Sequence, residues 1–333
     1  MKNRYEVFKK NRFLLLSILS LIVVVAFLLR ISYAAMILCY IGIYAIATSA
    51  LDITWGYTGQ ISYGHAGFYA IGAYTTAMLS TRLGLPTLVT IFLGAILSAI
   101  FGILISFSAA KLVKHFLALL TMSFGQVIYM FVNSATNITG GSAGIKHIPR
   151  VELFGWVART NGEMFIVILI FLLLTLYTKQ SIVHSRIGRA FVSIRENSIA
   201  ANGLGVNVKI YKVLSFAISS FFTGLAGALY AHMIGYISPD SFQSSQSVIF
   251  MTVLLFGGLG TFFGPLIGSV VVVLVKEFFQ VFSEYQQLVY AFFIIVVLFK
   301  MPEGLVGTFP IVKSNIKRIL IRNKHEAEGK EQC

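Results

Sequence analysis

The residues whose types and spacing could carry chemistry are sparse, and their densest group is residues 186–205, RIGRAFVSIRENSIAANGLG. This stretch is polar and basic, and apolar runs at 164–177 and 213–232 flank it. Within it, 198–204 reads as a short helix that Gly205 closes, because glycine enters the left-handed turn after a helix most readily. Ser198 is suited to cap its start. Small side chains at Ala200 and Ala201 would let another surface approach closely. A short capped helix between two membrane spans suits docking to a soluble partner. Arg186, Arg189 and Arg195 either pair with acidic groups on that partner or only enforce membrane topology. Catalytic chemistry has no support. No Gly-x-x-x-x-Gly-Lys-Ser/Thr phosphate loop occurs, and the glycine-rich run 257–264 lacks the lysine. No acid pair or Ser/His/Asp set stands at working spacing on one span. Asp52, Lys276, Glu277 and Glu284 fall near the ends of apolar runs, away from the span centres where proton relays place ionisable groups. His65 stands alone as a metal ligand and is expected to pack or hydrogen-bond among small residues. Cys39 and Cys333 make neither a disulfide framework nor a metal site. The chain reads as a non-enzyme with no cofactor of its own, so any energy source comes from elsewhere.

The elements that position these residues must live in a membrane. Of 333 residues, 57% are hydrophobic and 11% charged, against about 25% charged in soluble domains. Several runs reach the roughly 20 apolar residues that cross a bilayer core as helix, and no alternation of ~10-residue segments suggests a barrel. The expected fold is an all-α polytopic bundle of about 8–10 transmembrane helices. The net charge of +14 fits basic loops on the cytoplasmic side and anionic lipid heads. Nucleic acid is disfavoured, since no basic stripe is joined to stacking aromatics outside the spans.

Along the chain, a basic N-terminus (1–12) precedes an apolar run at 13–29, read as an uncleaved first span. Further spans are expected at 33–51, 86–108, 116–132, 164–177, 213–232, 269–282 and 288–299, with a basic tail at 311–333. Residues 56–79 and 246–283 allow re-entrant or broken helices, the former because Gly59, Gly64, Gly67 and Gly72 crowd a stretch apolar enough to enter the membrane. In 213–232, Ser220, Gly224 and Ala228 recur every fourth residue, a stripe that admits a second helix. The membrane domain is therefore expected to cover 13–310, with both termini and a loop at 179–212 in the cytoplasm, where Lys and Arg are densest. The longest loop on the other side is 133–163.

Several stretches together resemble a known family. WGYTGQISYGHAGFYAIGAYTTAML (55–79), LALLTMSFGQVIYMFVNSATNITGGSAGI (117–145), residues 185–231, FGGLGTFFGPLIG (256–268) and KMPEGLVGTF (300–309) are similar, in order, to the LivM-like permease subunits of ATP-binding-cassette importers for branched-chain amino acids. The resemblance implies a prokaryotic cell-membrane protein that moves Leu, Ile and Val inward by ATP-driven alternating access. It also implies a second related permease, two ATPase subunits that bind the ATP, and an extracytoplasmic substrate-binding protein. The 179–212 loop would carry a coupling helix with the signature Glu-Ala-Ala, three residues, then Gly. Here Ala200-Ala201 and Gly205 keep the spacing, while Ile199 stands where the Glu belongs.

The expected ATPase contact is Arg195, Glu196, Asn197, Ala200, Ala201 and Gly205. Tyr57, Gly59, Gln60, Ser62, Gly64 and His65, with Thr139, Gly140 and Gly141, are expected along the translocation pathway, with tight helix packing as the alternative reading of the glycines. Urea, short amides or another small polar solute would suit the same architecture, and an autonomous channel or secondary carrier is the competing class.

Overall fold

Inside the bundle, small polar groups such as Thr48, Ser49 and Ser98 are buried among aromatic and aliphatic side chains, while many other large apolar ones face out. The computed structural model describes residues 31–109, 114–153, 155–279 and 295. The expected span at 13–29, the basic N-terminus, Lys111, Glu284, the span at 288–299, the 300–309 motif and the tail lie outside the described residues.

Helix α1 (Ser32–Asp52) continues through a π-helical turn, Ile53–Tyr57. The chain then breaks and restarts as α2 (His65–Arg82), followed by α3 (Thr87–Ala109) and α4 (Lys114–Ser134). A short helix α5 (Thr136–Thr139), a 3-10 turn (Gly141–Ala143) and a small antiparallel pair, β1 (Glu152–Leu153) with β2 (Trp156–Val157), fill the next loop. Helix α6 (Asn161–Val183) leads to α7 (Arg186–Glu196), α8 (Ser198–Gly203) and the long α9 (Val208–Ile234). Helices α10 (Ser244–Gly257) and α11 (Gly264–Phe279) follow. The helices α1, α3, α4, α6 and α9 are each long and apolar enough to cross a membrane. The all-α bundle expected from the apolar runs is therefore present.

Helix α9 is the axis on which α3, α2 and α1 pack, with α6 and the α10–α11 pair laid against α1. The stripe Ser220, Gly224, Ala228 explains that centrality. A Cβ on Gly72 of α2 would lie 1.9 Å from the Gly224 carbonyl oxygen, and one on Gly224 would lie 2.4 Å from the Ser98 Cβ of α3. Ser98 Oγ donates to the carbonyls of Phe68 and Ser220 at 3.0 and 2.9 Å, joining the three helices. Close backbone approach of this kind replaces the hydrophobic drive that lipid cannot supply. Outward, α3 presents Phe92, Ile96, Ile100 and Leu104, all exposed.

Two boundaries differ from the sequence expectations, and one break follows them. The loop set at 179–212 starts later, because α6 runs to Val183 and Lys179 is buried inside it. Glu163, placed before the sixth span, lies in the first turn of α6 and closes a capping box with Thr160: each side chain takes the other's backbone N–H, at 3.2 and 3.0 Å. The broken helix allowed for residues 56–79 is present. The π-helical turn of α1 ends at Tyr57, and the break spans 58–64 around Gly59, whose φ of +72° a side chain would strain.

Candidate functional site

Between α6 and α9 the chain folds into two short helices joined at Asn197. Ser185 caps α7, accepting from Ile187 N–H and Gly188 N–H at 3.0 and 3.4 Å. Ala190, Phe191 and Ile194 bury one face of α7, and the Phe191 ring meets Tyr211 edge to face at 6.2 Å. Helix α8 is capped by Asn197, not Ser198. Its Oδ1 accepts from Ile199 N–H and Ala200 N–H at 3.0 and 3.1 Å, because the extended backbone of Asn197 (φ −153°) ends α7 one residue earlier. The other end follows the expectation: Gly205 takes φ +85°, and Val206 N–H returns to the Ala201 carbonyl at 3.1 Å, the closing bond of a Schellman turn.

Of the six residues expected at a partner contact, only Ala201 is buried; Arg195, Glu196, Asn197, Ala200 and Gly205 are exposed. Ala201 anchors α8, and the most exposed large side chains of this tip stand beside the expected residues. Ile199 and Leu204 are each 84% exposed, an apolar pair on a rigidly closed tip. Since Gly205 meets nothing within 4 Å, Gly205→Val adds no clash, only left-handed backbone strain of about 1–2 kcal/mol. Hydrogen exchange at Val206 should quicken in that variant and remain close to wild type in Gly205→Asn.

Arg195 ties this tip to the membrane core. Its Nη1 donates to the Gly56 carbonyl, and its stem lies against Gly59, where a Cβ would come within 3.3 Å of the Arg195 Cγ. Beside Gly56 is a buried ion pair: Lys179 Nζ stands 2.8 Å from Asp52 Oδ2, with side chains 1% and 0% exposed. Asp52 Oδ1 accepts from Gly260 N–H at 2.8 Å, and Lys179 also donates to the Thr261 carbonyl at 3.1 Å. The Tyr57 ring centre lies 5.8 Å from the ammonium. The sequence reading set Asp52 near a span end and Lys179 in a loop; they meet instead as a buried pair joining α1, α6 and the 258–261 loop. A hint was the acidic residue four positions before Gly56, where a side chain would strike Asp52 Oδ1.

The remaining pathway candidates fall into two groups at opposite ends of α2. At its start, Gln60 Nε2 donates to Ser215 Oγ at 2.7 Å, and His65 sits between Ser62 Oγ (3.1 Å) and Ser219 Oγ (2.8 Å). Gly64 packs on the Thr121 backbone. The hydrogen-bonding role expected of His65 is therefore present. At its far end, Arg82 donates to the carbonyls of Asn137 and Ile138 at 2.9 and 2.6 Å. There Thr139 Oγ1 donates to Val132 O at 2.5 Å, and Gly140 and Gly141 take positive φ. The 18 residues of α2 separate the groups by about 27 Å, so the expected pathway residues do not form a single site.

Comparison with known proteins agrees with this architecture. Residues 33–298 match the family described as branched-chain amino acid transport system / permease component. The chain is 30% identical over 298 residues, 83% of its length and 69% of the relative's, to the high-affinity branched-chain amino acid transport system permease protein LivM of Escherichia coli. It is 26% identical over 288 residues to LivH of the same organism, covering 79% of this chain and 91% of that one. It is 25% identical over 248 residues to the ribose import permease protein RbsC of Haemophilus influenzae, covering 71% and 74%. No solved structure matches the chain. A small-residue helical bundle with a capped basic tip, matched over most of its length, thus belongs to the branched-chain amino acid transport system permease family.

Proposed function

We propose that this chain is a transmembrane permease subunit of an ATP-binding-cassette importer that brings leucine, isoleucine and valine into a prokaryotic cell. The observation that carries the reading is the rigid tip of α8. It offers Ile199 and Leu204 to a partner, while Arg195, one turn away, holds the Gly56 carbonyl at the helix break. A push on the tip therefore reaches the ends of α1 and α2 without passing through a flexible segment. ATP hydrolysis belongs to two partner subunits docked on the tip, in the cytoplasm with both termini. The relatives LivM and LivH support a second permease beside this one, and a soluble binding protein delivers the solute on the far face. Rigid-body alternating access is the mechanism such a lever serves.

The test is leucine uptake in proteoliposomes holding this chain, its partner permease, the ATPases and the binding protein, with each component omitted in turn. Uptake that needs all of them, and is competed by isoleucine and valine, supports the reading. Uptake by this chain alone makes it a channel or carrier, and competition by urea or ribose instead replaces the substrate. In the same vesicles Ile199→Glu with Leu204→Glu should weaken ATPase docking at least about ten-fold, because losing interface anchors costs about 1–2 kcal/mol or more. Insertion and thermal unfolding should stay as in the wild type. Wild-type ATPase affinity would show that the tip is not the docking surface.

A further inference from the structure

Helices α3 and α4 each pack on α2 but touch one another little, and a crevice of about 340 Å3 is left among the three. Its walls include Ile71 and Tyr74 of α2, Leu97 and Phe101 of α3, and Val127 and Phe131 of α4. Leu97, Val127 and Phe131 are exposed, so the crevice opens sideways, where these spans meet the hydrocarbon of the bilayer. No charged side chain lines it, and Thr139 Oγ1 at its end donates to the Val132 carbonyl. Apolar cavities of this kind stay dry and take up apolar molecules. Toward the start of α4, the wall residue Phe101 stacks on Phe124 at 6.3 Å, centre to centre, and closes that end.

A cation stands at the other end. Ile71, Thr75 and Arg82 fall at i, i+4 and i+11, on one face of α2, with Arg82 about 10 Å beyond Thr75 along the axis. That step fits a headgroup layer roughly 5–8 Å deep over the hydrocarbon. Arg82 is exposed. Its bonds to the Asn137 and Ile138 carbonyls, next in the chain to Thr139, both come from Nη2; Nε and Nη1 make none among the described residues. A guanidinium with donors to spare suits the paired oxygens of a phosphate.

We propose that this crevice holds one phospholipid as a fixed part of the subunit, its acyl chain between α3 and α4 and its phosphate on Arg82. The site goes beyond the importer reading and stands whichever solute is carried. A crevice of this volume is too narrow for a neighbouring helix, about 10–12 Å across with its side chains, and admits a single chain.

The full-length chain, extracted in mild detergent and washed free of loose lipid, is weighed by native mass spectrometry and then titrated with dioleoyl phosphatidylglycerol. The wild type should retain one phospholipid. Val127→Trp fills the mouth and should lose it, while Leu119→Trp, exposed on α4 outside the crevice, should keep it. Arg82→Gln should weaken the titrated affinity about ten-fold, the worth of one charged hydrogen bond, and Arg82→Lys should recover most of it. Should Val127→Trp fail to fold, the Arg82 variants still decide. A wild type that retains no phospholipid overturns the proposal, as does wild-type retention in Val127→Trp or wild-type affinity in Arg82→Gln. Lipid that stays on the lone chain but leaves when the second permease joins makes that permease the occupant, and overturns it too.

Discussion

Lys179→Met should lower the thermal unfolding temperature in detergent by on the order of 10 °C. The substitution strands Asp52, which is fully buried; apart from the Lys179 ammonium, its Oδ2 has no partner. Removing one member of a buried ion pair costs about 3–5 kcal/mol, because the remaining charge is left uncompensated, and each kcal/mol moves the midpoint by about 2–4 °C in a chain of 150–250 residues. Replacing both charges is different. In Asp52→Asn with Lys179→Met, the asparagine oxygen still accepts from Gly260 N–H, and no charge remains to desolvate. The double variant should recover most of the lost stability. A single variant that unfolds at the wild-type temperature would mean that the pair does not anchor α6 to α1 and the 258–261 loop. Uptake by the double variant then separates two roles for this joint: retained uptake makes the charges structural, and lost uptake makes them part of the link from Arg195 to the membrane core.

Gly72→Val should leave almost no folded protein. The added Cβ would lie 1.9 Å from the Gly224 carbonyl oxygen, a backbone atom that no side-chain rotation can move aside. Gly94 meets the Gly72 carbonyl from α3, where its own Cβ would stand 2.7 Å away. Three helix backbones thus converge on one point. Overpacking costs typically about 1–3 kcal/mol where side chains can shift, and here only a separation of α2 from α9 relieves it. Gly203→Ala is the matched control. It lies in α8 with nothing within 4 Å of the new Cβ and should be neutral or stabilise slightly, since alanine is the better helix former. Fluorescence-detected size exclusion of both variants reads the contrast. A monodisperse Gly72→Val peak at wild-type yield would show that the α2–α9 contact is looser than the backbone geometry requires.

What the sequence determined by itself was local. Run length and apolarity set the spans, because a bilayer core demands about 20 apolar residues per helix. The stripe Ser220, Gly224, Ala228 announced close packing, since periodicity on one helix needs no knowledge of the partner. Gly205 and the break near Gly59 were legible because left-handed backbone is a property of the residue itself. Tertiary structure decided every pairing across the chain. Lys179 reads as the first residue of a basic loop until α6 is packed on α1, where it neutralises an aspartate 127 positions earlier. Asn197 displaced Ser198 as the cap because α7 ended at Glu196, and packing of Ile194 and Phe191 chose that end. Tyr40, Tyr69 and Tyr230, which line one cavity, look like ordinary span residues one helix at a time. Only the meeting of α1, α2 and α9 turns them into a cavity wall, because a cavity is a relation between helices and no single helix carries it.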